Sequence, residues 1–358
     1  MNRNTPSPMV AENEQDKLSE LPQGSPLMEE DQPAEDLSGF KGSPELDESS
    51  ETNSTTGSGG GDEESLQGSP LIESSPDKEV PTEPQRAGSR RALCIGINTY
   101  PVSPLRGCVN DAGRWHDWFQ DNGFLTEPVL TDAAATREGI LEAIRRLVSS
   151  CVAGDVIAIQ YSGHGTQLPD LNGDEASGDT PGLDEALVPV DHHRSGFILD
   201  DDIGDICNGI PAGANVTLIM DCCHSGTNSR AMFNSPMSHA LADARPRFLQ
   251  ADAEMVAVHL RTQSAQSGSR TISQRSAEEQ QEISFAACLS SQLAWESNDQ
   301  GDFTRNALGV LQQQGIGKMT HDEFLKKVRD AFPGNARQSP MLSCSEQYRQ
   351  HVLFGSRM

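Results

Sequence analysis

Basic residues and aromatics are scarce in this chain, and long apolar runs are missing. Against 53 Asp and Glu stand 27 Lys and Arg, and Phe, Trp and Tyr make up 5% of the 358 residues. The formal net charge of −26, with no basic patch, argues against nucleic acid or an anionic membrane as the main partner. No stretch approaches the ~20 consecutive apolar residues of a membrane helix. Met1–Leu21 lacks the apolar core of a signal peptide. The eight cysteines (94, 108, 151, 207, 222, 223, 288 and 344) contain no C-x-x-C pair and mostly sit in apolar runs. That pattern predicts reduced thiols in a cytoplasmic protein rather than a disulfide framework.

The shortage of aromatics is most severe at the start. Residues 1–90 hold 20 Asp and Glu, 6 Lys and Arg, a single aromatic (Phe40), and much Ser, Pro and Gly. Such a stretch cannot bury enough apolar surface to offset chain entropy, so it reads as a disordered acidic extension. Its phrases Gly24-Ser25-Pro26, Gly42-Ser43-Pro44 and Gly68-Ser69-Pro70 recur at uneven intervals, which excludes a solenoid. They read as low-complexity drift or, more sharply, as docking or Ser-Pro phosphorylation sites.

From residue 91 the composition becomes that of a globular domain. Arg91–Asn98, Val156–Gln160, Val216–Met220 and Ile283–Cys288 are short apolar runs, the middle two rich in β-branched residues, and they read as buried strands. Between the first two lie two helical patterns. One carries Ala112, Trp115, Trp118 and Phe119, with Asn110 suited to its N-cap. The other carries Ile140, Leu141, Ile144, Leu147 and Val148, with Thr136 as cap. Later helices are predicted at about 303–313 and 320–332, the second opened by the capping box Thr320–Glu323, and an extended segment near 351–354. The alternation predicts an α/β fold with a mostly parallel sheet flanked by helices. Residues from about 236 to 282 turn polar and read as a flexible linker, dividing the domain (91–357) into parts at 91–235 and 283–357.

Two of the strands end in chemistry-bearing residues. Tyr161-Ser162-Gly163-His164-Gly165 follows one and Asp221-Cys222-Cys223-His224-Ser225-Gly226 closes another. Parallel sheets hold ligands just past their strand carboxyl ends, so a thiol and an imidazole could share one crevice there. Together they are the minimal kit for covalent acyl transfer. A metal site at Cys222-Cys223-His224 is disfavoured, because consecutive residues of a strand alternate faces. A redox pair at Cys222–Cys223 is a further reading.

Those two blocks resemble the signature blocks of metacaspases, the caspase-like cysteine peptidases. Leu105–Ala112 is similar to the family's first loop, and Ser284–Cys288 with Gln292 and Glu296 to the start of its small-subunit region. The resemblance implies a caspase-type fold and an endopeptidase cleaving after Arg or Lys by a Cys/His dyad, with self-processing among its activities. By position it implies Cys223 as nucleophile, His164 as base, and the N–H groups of Gly165 and Cys223 as oxyanion donors. It further implies a basic-residue pocket of Asp111 and Asp221 lined by Cys108 and Ser162. Calcium is an implied cofactor, on Asp184, Asp200 and Asp201. Arg230 stands where the family often has a fourth acidic ligand, which weakens the site, and the acidic loop Asp170–Asp179 could supply substitute oxygens or be a solvated turn. The partners expected are protein or peptide substrates with basic residues, met by a monomer. The alternative is a catalytically silent caspase-like interaction module.

Overall fold

The four predicted strands lie side by side in the computed structural model, which describes residues 88–169, 182–223, 244–266, 280–333 and 337–356. The tail phrases, the loop Asp170–Asp179, Arg230 and His224-Ser225-Gly226 lie outside the described residues. In chain order the elements are β1 (Arg90–Gly96), α1 (Cys108–Asp121), β2 (Leu125–Thr126), β3 (Leu130–Thr131), α2 (Arg137–Ser149), β4 (Val156–Ser162), β5 (Gly165–Pro169), β6 (Leu183–Leu187), α3 (His192–Ser195), β7 (Ile198–Leu199), α4 (Asp200–Cys207) and β8 (Asn215–Asp221). Then come β9 (Arg245–Pro246), α5 (Ala253–Gln266), β10 (Ile283–Ala286), β11 (Trp295–Ser297), β12 (Gln300–Gly301), α6 (Asp302–Gln314), α7 (His321–Ala331) and β13 (Met341–Ser343).

The main sheet runs β13-β10-β8-β4-β1-β2, with β3 also on β1. Every pairing in it is parallel except β10 with β13. β4 pairs residue for residue with β1 on one side and β8 on the other, so Ser162 and Asp221 end level. Alternation then sorts the side chains. Ile157, Ile159 and Tyr161 of β4, and Val216, Leu218 and Met220 of β8, face one core with α2. Val156 and Ala158, with Ile219, face a second core built on Trp115 and Phe119 of α1 and Phe303 of α6. Each such large buried side chain contributes ~1.5–3 kcal/mol, so the two cores hold the sheet from both faces. Two three-stranded antiparallel sheets, β5-β6-β7 and β12-β11-β9, stand beside it. No helix among the described residues is long and apolar enough to cross a membrane.

Caps fall as predicted at Thr136, which accepts from Gly139 N–H, and at Thr320, which closes its box with Glu323. Three expectations need correction. Asn110 lies inside α1. The first N–H groups of that helix, on Cys108 and Val109, go to the side-chain oxygen of Asn98, a cap reached across a loop. Residues 351–354 make only an isolated bridge to Thr320, while the edge strand is β13. The region read as a flexible linker contains β9 and α5, and His259 of α5 accepts from Phe197 N–H.

Candidate active site

The carboxyl ends of β1, β4, β8 and β10 open onto one place, and loops from each build it. His164 follows β4. Its backbone is gripped by two buried phenols. Tyr100 Oη accepts from His164 N–H at 3.1 Å, and Tyr161 Oη donates to His164 O at 2.9 Å. The ring packs on Tyr100, centroids 4.5 Å apart. Nε2 lies 2.7 Å from the Ser103 carbonyl, which can only accept, so the proton sits on Nε2 and Nδ1 carries a free lone pair. Nδ1 is buried without a hydrogen-bond partner. Burial pushes the imidazole pKa down to about 4, with the Arg247 guanidinium adding to the effect and the Ser103 and Arg247 carbonyls opposing it. At neutral pH this ring is therefore uncharged and basic at Nδ1.

The two cysteines part company at the end of β8. Cys222 continues the Met220 face and joins the core with Tyr100 and Tyr161, where burial holds its thiol pKa well up. Cys223 continues the Ile219 and Asp221 face and joins the other core. Its S–H donates to Ala294 O at 3.2 Å. Gly165 passes directly over it, since a Cβ at Gly165 would collide with the Cys223 carbonyl oxygen.

Asp111 and Asp221 face the same buried space, and a third carboxylate, Glu296 of β11, completes it. Glu296 Oε1 accepts from Arg106 N–H at 2.8 Å and Oε2 from Gly107 N–H at 3.1 Å, which ties the loop after β1 to the pocket wall. Asp221 Oδ2 accepts from the Thr304 N–H and hydroxyl at 3.1 and 2.6 Å. Cys108 Sγ lies 3.9 Å from Glu296 Oε2, its pKa raised by burial. Ser162 is fully buried opposite Asp221, with Oγ accepting from Gln160 Nε2 at 2.7 Å. β11 and β12 are joined by Asn298-Asp299, both at positive φ (53° and 55°), the two-residue turn that matches strand twist.

The occupant of this pocket is Arg247 of the same chain, wholly buried. Its guanidinium contacts Asp111 Oδ2, Asp221 Oδ2 at 2.9 Å and Glu296 Oε2 at 3.4 Å. Three carboxylates around one cation leave surplus negative charge. Burial, with Asp221 beside it, pushes the Asp111 pKa up to about 7 against the pull of Arg247. For Arg247 itself burial is outweighed by the carboxylates, and its pKa rises. The backbone is held as firmly. Arg247 N–H donates to Ala294 O at 2.9 Å, and the Arg247 carbonyl accepts from both Gly165 N–H and Cys223 N–H at 3.1 Å. On one side β9 pairs antiparallel with β11; on the other, Leu249 N–H donates to Gly165 O at 3.0 Å.

Comparison with known proteins agrees with this architecture. The profile described as "Metacaspase, peptidase C14 domain" matches residues 90–231. Metacaspase-1 of Cryptococcus neoformans var. neoformans serotype D (strain B-3501A) is 30% identical over 313 residues, covering 75% of this chain and 66% of the relative. The chain belongs to the metacaspase family. Metacaspase-1 of Schizosaccharomyces pombe is 39% identical over 150 residues, 39% of this chain and 34% of that one. Metacaspase-7 of Arabidopsis thaliana is 40% identical over 148 residues, 38% of this chain and 35% of that one. The chain thus spans about two thirds or less of these metacaspases. The crystal structure of protein GSU0716 from Geobacter sulfurreducens shares the fold, with a TM-score of 0.57 at 23% identity, over 75% of this chain and 99% of that one.

Glu296 and Arg247 had no pocket role in the sequence reading. A short apolar pair, Phe248-Leu249, behind a basic residue was the only local sign at Arg247. Glu296 had its hairpin turn, Asn-Asp, two residues on. Asp184 on β6 and Asp200 and Asp201 at the start of α4 come to one end of the β6–β7 pair, where Ala186 faces Leu199. Among the described residues no group of three or more His, Cys, Asp or Glu stands close enough to hold a metal.

Proposed function

We propose that this protein is a cysteine endopeptidase that cleaves after Arg or Lys. The observation that carries the proposal is Arg247, whose side chain lies among three carboxylates while its carbonyl rests on two N–H donors. A substrate taking that path would lie extended along β11 and Gly165, as residues 245–249 do. Its basic side chain would meet Asp111, Asp221 and Glu296. An ammonium has three donors for three carboxylates, and a guanidinium has a planar fork, so both fit. An acidic side chain there would be a fourth negative charge in a dry pocket.

The chemistry proposed with it uses the same residues. Cys223 Sγ attacks the carbonyl carbon, and Nδ1 of His164 takes the thiol proton. The developing oxyanion stays on Gly165 N–H and Cys223 N–H, donors fixed in advance of the reaction. His164 returns the proton to the leaving amine, and water then hydrolyses the thioester. Ser103 O keeps the ring in the tautomer that leaves Nδ1 open. Ser162 and Cys108 line the pocket floor in this scheme.

Calcium has weaker support. The described acids do not make a site by themselves, and no step above uses a metal. The proposal that Asp184, Asp200 and Asp201 contribute ligands rests on family resemblance and their shared end of β6–β7.

The test is kinetic: purified protein is given fluorogenic peptides ending in Arg, Lys and Asp. Turnover of the basic pair alone is expected. Asp221→Asn should then cost roughly 2–4 kcal/mol in kcat/KM for the Arg peptide, thirty- to a thousand-fold, the penalty for breaking a desolvated charge pair. Efficient cleavage after Asp would overturn the pocket assignment.

A further inference from the structure

Two of the chain's three tyrosines crowd onto a single histidine. We propose that one of them, Tyr100, is a positioning residue for the catalytic base: its hydroxyl holds the buried His164 N–H, and its loop brings the carbonyl that selects the ring tautomer. The proposal rests on the peptidase reading above, which makes His164 the base. It differs from core packing in one respect, the hydroxyl, since a phenylalanine would fill the same space. The backbone groups around the two phenols are unequally served. His164 O accepts from Val188 N–H at 3.1 Å and from Tyr161 Oη at 2.9 Å. Val188 O accepts from Tyr100 Oη at 2.9 Å, with Tyr161 Oη at 3.0 Å. His164 N–H donates to Tyr100 Oη at 3.1 Å and has no other acceptor among the described residues. Losing the Tyr161 hydroxyl therefore leaves every one of these groups a partner. Losing that of Tyr100 strands a buried donor on the histidine itself.

Burial pushes both phenol pKa values up, so both hydroxyls stay protonated and able to donate. A Cβ at Gly163 would collide with both of them, so the residue before His164 is a glycine because the phenols stand there. The loop of Tyr100 then acts a second time. Asn98 O accepts from Tyr100 N–H and Leu105 N–H, both at 3.0 Å. Asp132 Oδ1 accepts from Asn98 N–H and Thr99 N–H at 2.7 and 2.9 Å. Tied in this way, Tyr100 and Ser103 move as one piece. Ser103 adopts a left-handed φ of 56°, uncommon for a residue with a side chain, and its carbonyl accepts from His164 Nε2 at 2.7 Å. The Tyr100 ring closes the imidazole face, centroids 4.5 Å apart. Backbone N–H, ring face and Nε2 of the base are thus all set by one loop.

The experiment uses the full chain as wild type, Tyr100→Phe, Tyr161→Phe and Tyr100→Ala. It reads kcat and KM for a fluorogenic Arg peptide, and the ring nitrogen NMR shifts of His164 against pH, assigned by their loss in His164→Gln. Wild type should show the Nε2–H tautomer alone, with a midpoint of about 4. Tyr100→Phe should lower kcat roughly ten- to a hundred-fold, the loss that a small misplacement of a catalytic group brings, with KM changed by no more than about three-fold. Its His164 should divide between both tautomers. Tyr161→Phe should stay within about three-fold of wild type in both constants, because it strands no backbone group. Tyr100→Ala uncovers the ring face, so the His164 midpoint should rise toward 6.5 and the acid limb of kcat/KM with it. Wild-type kcat and tautomer in Tyr100→Phe would overturn the proposal. Equal losses in the two Phe variants, or a rise in KM alone, would do the same. If the ring shifts follow Tyr100 but no chain, wild type included, turns over a basic peptide, the hold on the imidazole stands and the peptidase reading fails.

Discussion

At the scale of single residues the site turns on which face of a strand a side chain takes. Cys222 and Cys223 are neighbours in sequence, but they enter different cores, and only Cys223 shares a face with Asp221 and touches the Ala294 carbonyl. Cys223→Ala should abolish peptide turnover, and Cys222→Ala should retain a good part of it; the reverse pattern would reassign the nucleophile. His164 gives a second test, through pH. Its folded pKa of about 4 lies below the ordinary 6.5, so between these values the unfolded chain holds a proton that the folded one refuses. Stability therefore falls as pH drops through that window, by about 3 kcal/mol in full and about 2 kcal/mol by pH 5. Asp111 works the other way: its raised pKa gives stability at low pH that is lost as pH rises through about 7. A His164→Gln variant keeps Asp111, so the difference between the two chains isolates the imidazole. In urea unfolding, the wild-type advantage should shrink from pH 7.5 to pH 5. Parallel pH curves would show that His164 is not buried uncharged.

Secondary-structure elements were legible where their information is local. The apolar runs of β1, β4, β8 and β10 announce themselves, as do the periodicity and caps of α2 and α7. Cys223 and His164 drew attention because they follow such strands, whereas Asp111 and Asp221 came from the family resemblance. What was missed is held by distant partners. β13 is three residues whose pairing with β10 decides their state. β9 is Arg-Pro, a polar dipeptide fixed by β11, and Arg247 just after it is held by carboxylates from α1, β8 and β11. Asn110 looked like a cap because local pattern cannot show that Asn98, twelve residues earlier, reaches across a loop to the same helix. That cross-loop cap makes a prediction. Asn98→Ala removes the acceptor for Cys108 and Val109 N–H, at a cost of about 1 kcal/mol and ~2–4 °C in Tm. Asp111 is in that first turn, so KM for Arg peptides should rise more than kcat falls. An unchanged Tm would show the bond to be dispensable.

For the whole molecule, the acidic balance and Arg230 bear on the proposed control by calcium. If calcium is held as the family resemblance implies, Arg230 puts a cation where a fourth carboxylate would stand, and both changes lower affinity for a hard divalent ion. The expected response is a midpoint in the roughly millimolar range. Arg230→Asp should move it to lower calcium, and Asp200→Ala should remove the response. Full activity in excess chelator would mean that the acids serve only the fold.

The sheet itself carries one more consequence. The segment that contains Arg247 and Phe248 lies between β8 and β10, yet those two strands are immediate neighbours, paired from Ile283 with Thr217 to Ala286 with Met220. The seam between the two halves of the chain runs through the sheet between β8 and β10, and the core of Trp115, Phe119 and Phe303 closes over it. A backbone nick at 247 would thus sever the polypeptide without dividing the particle. Such a preparation should migrate as two bands under denaturing conditions and elute as one species, at the uncut radius, from a native sizing column.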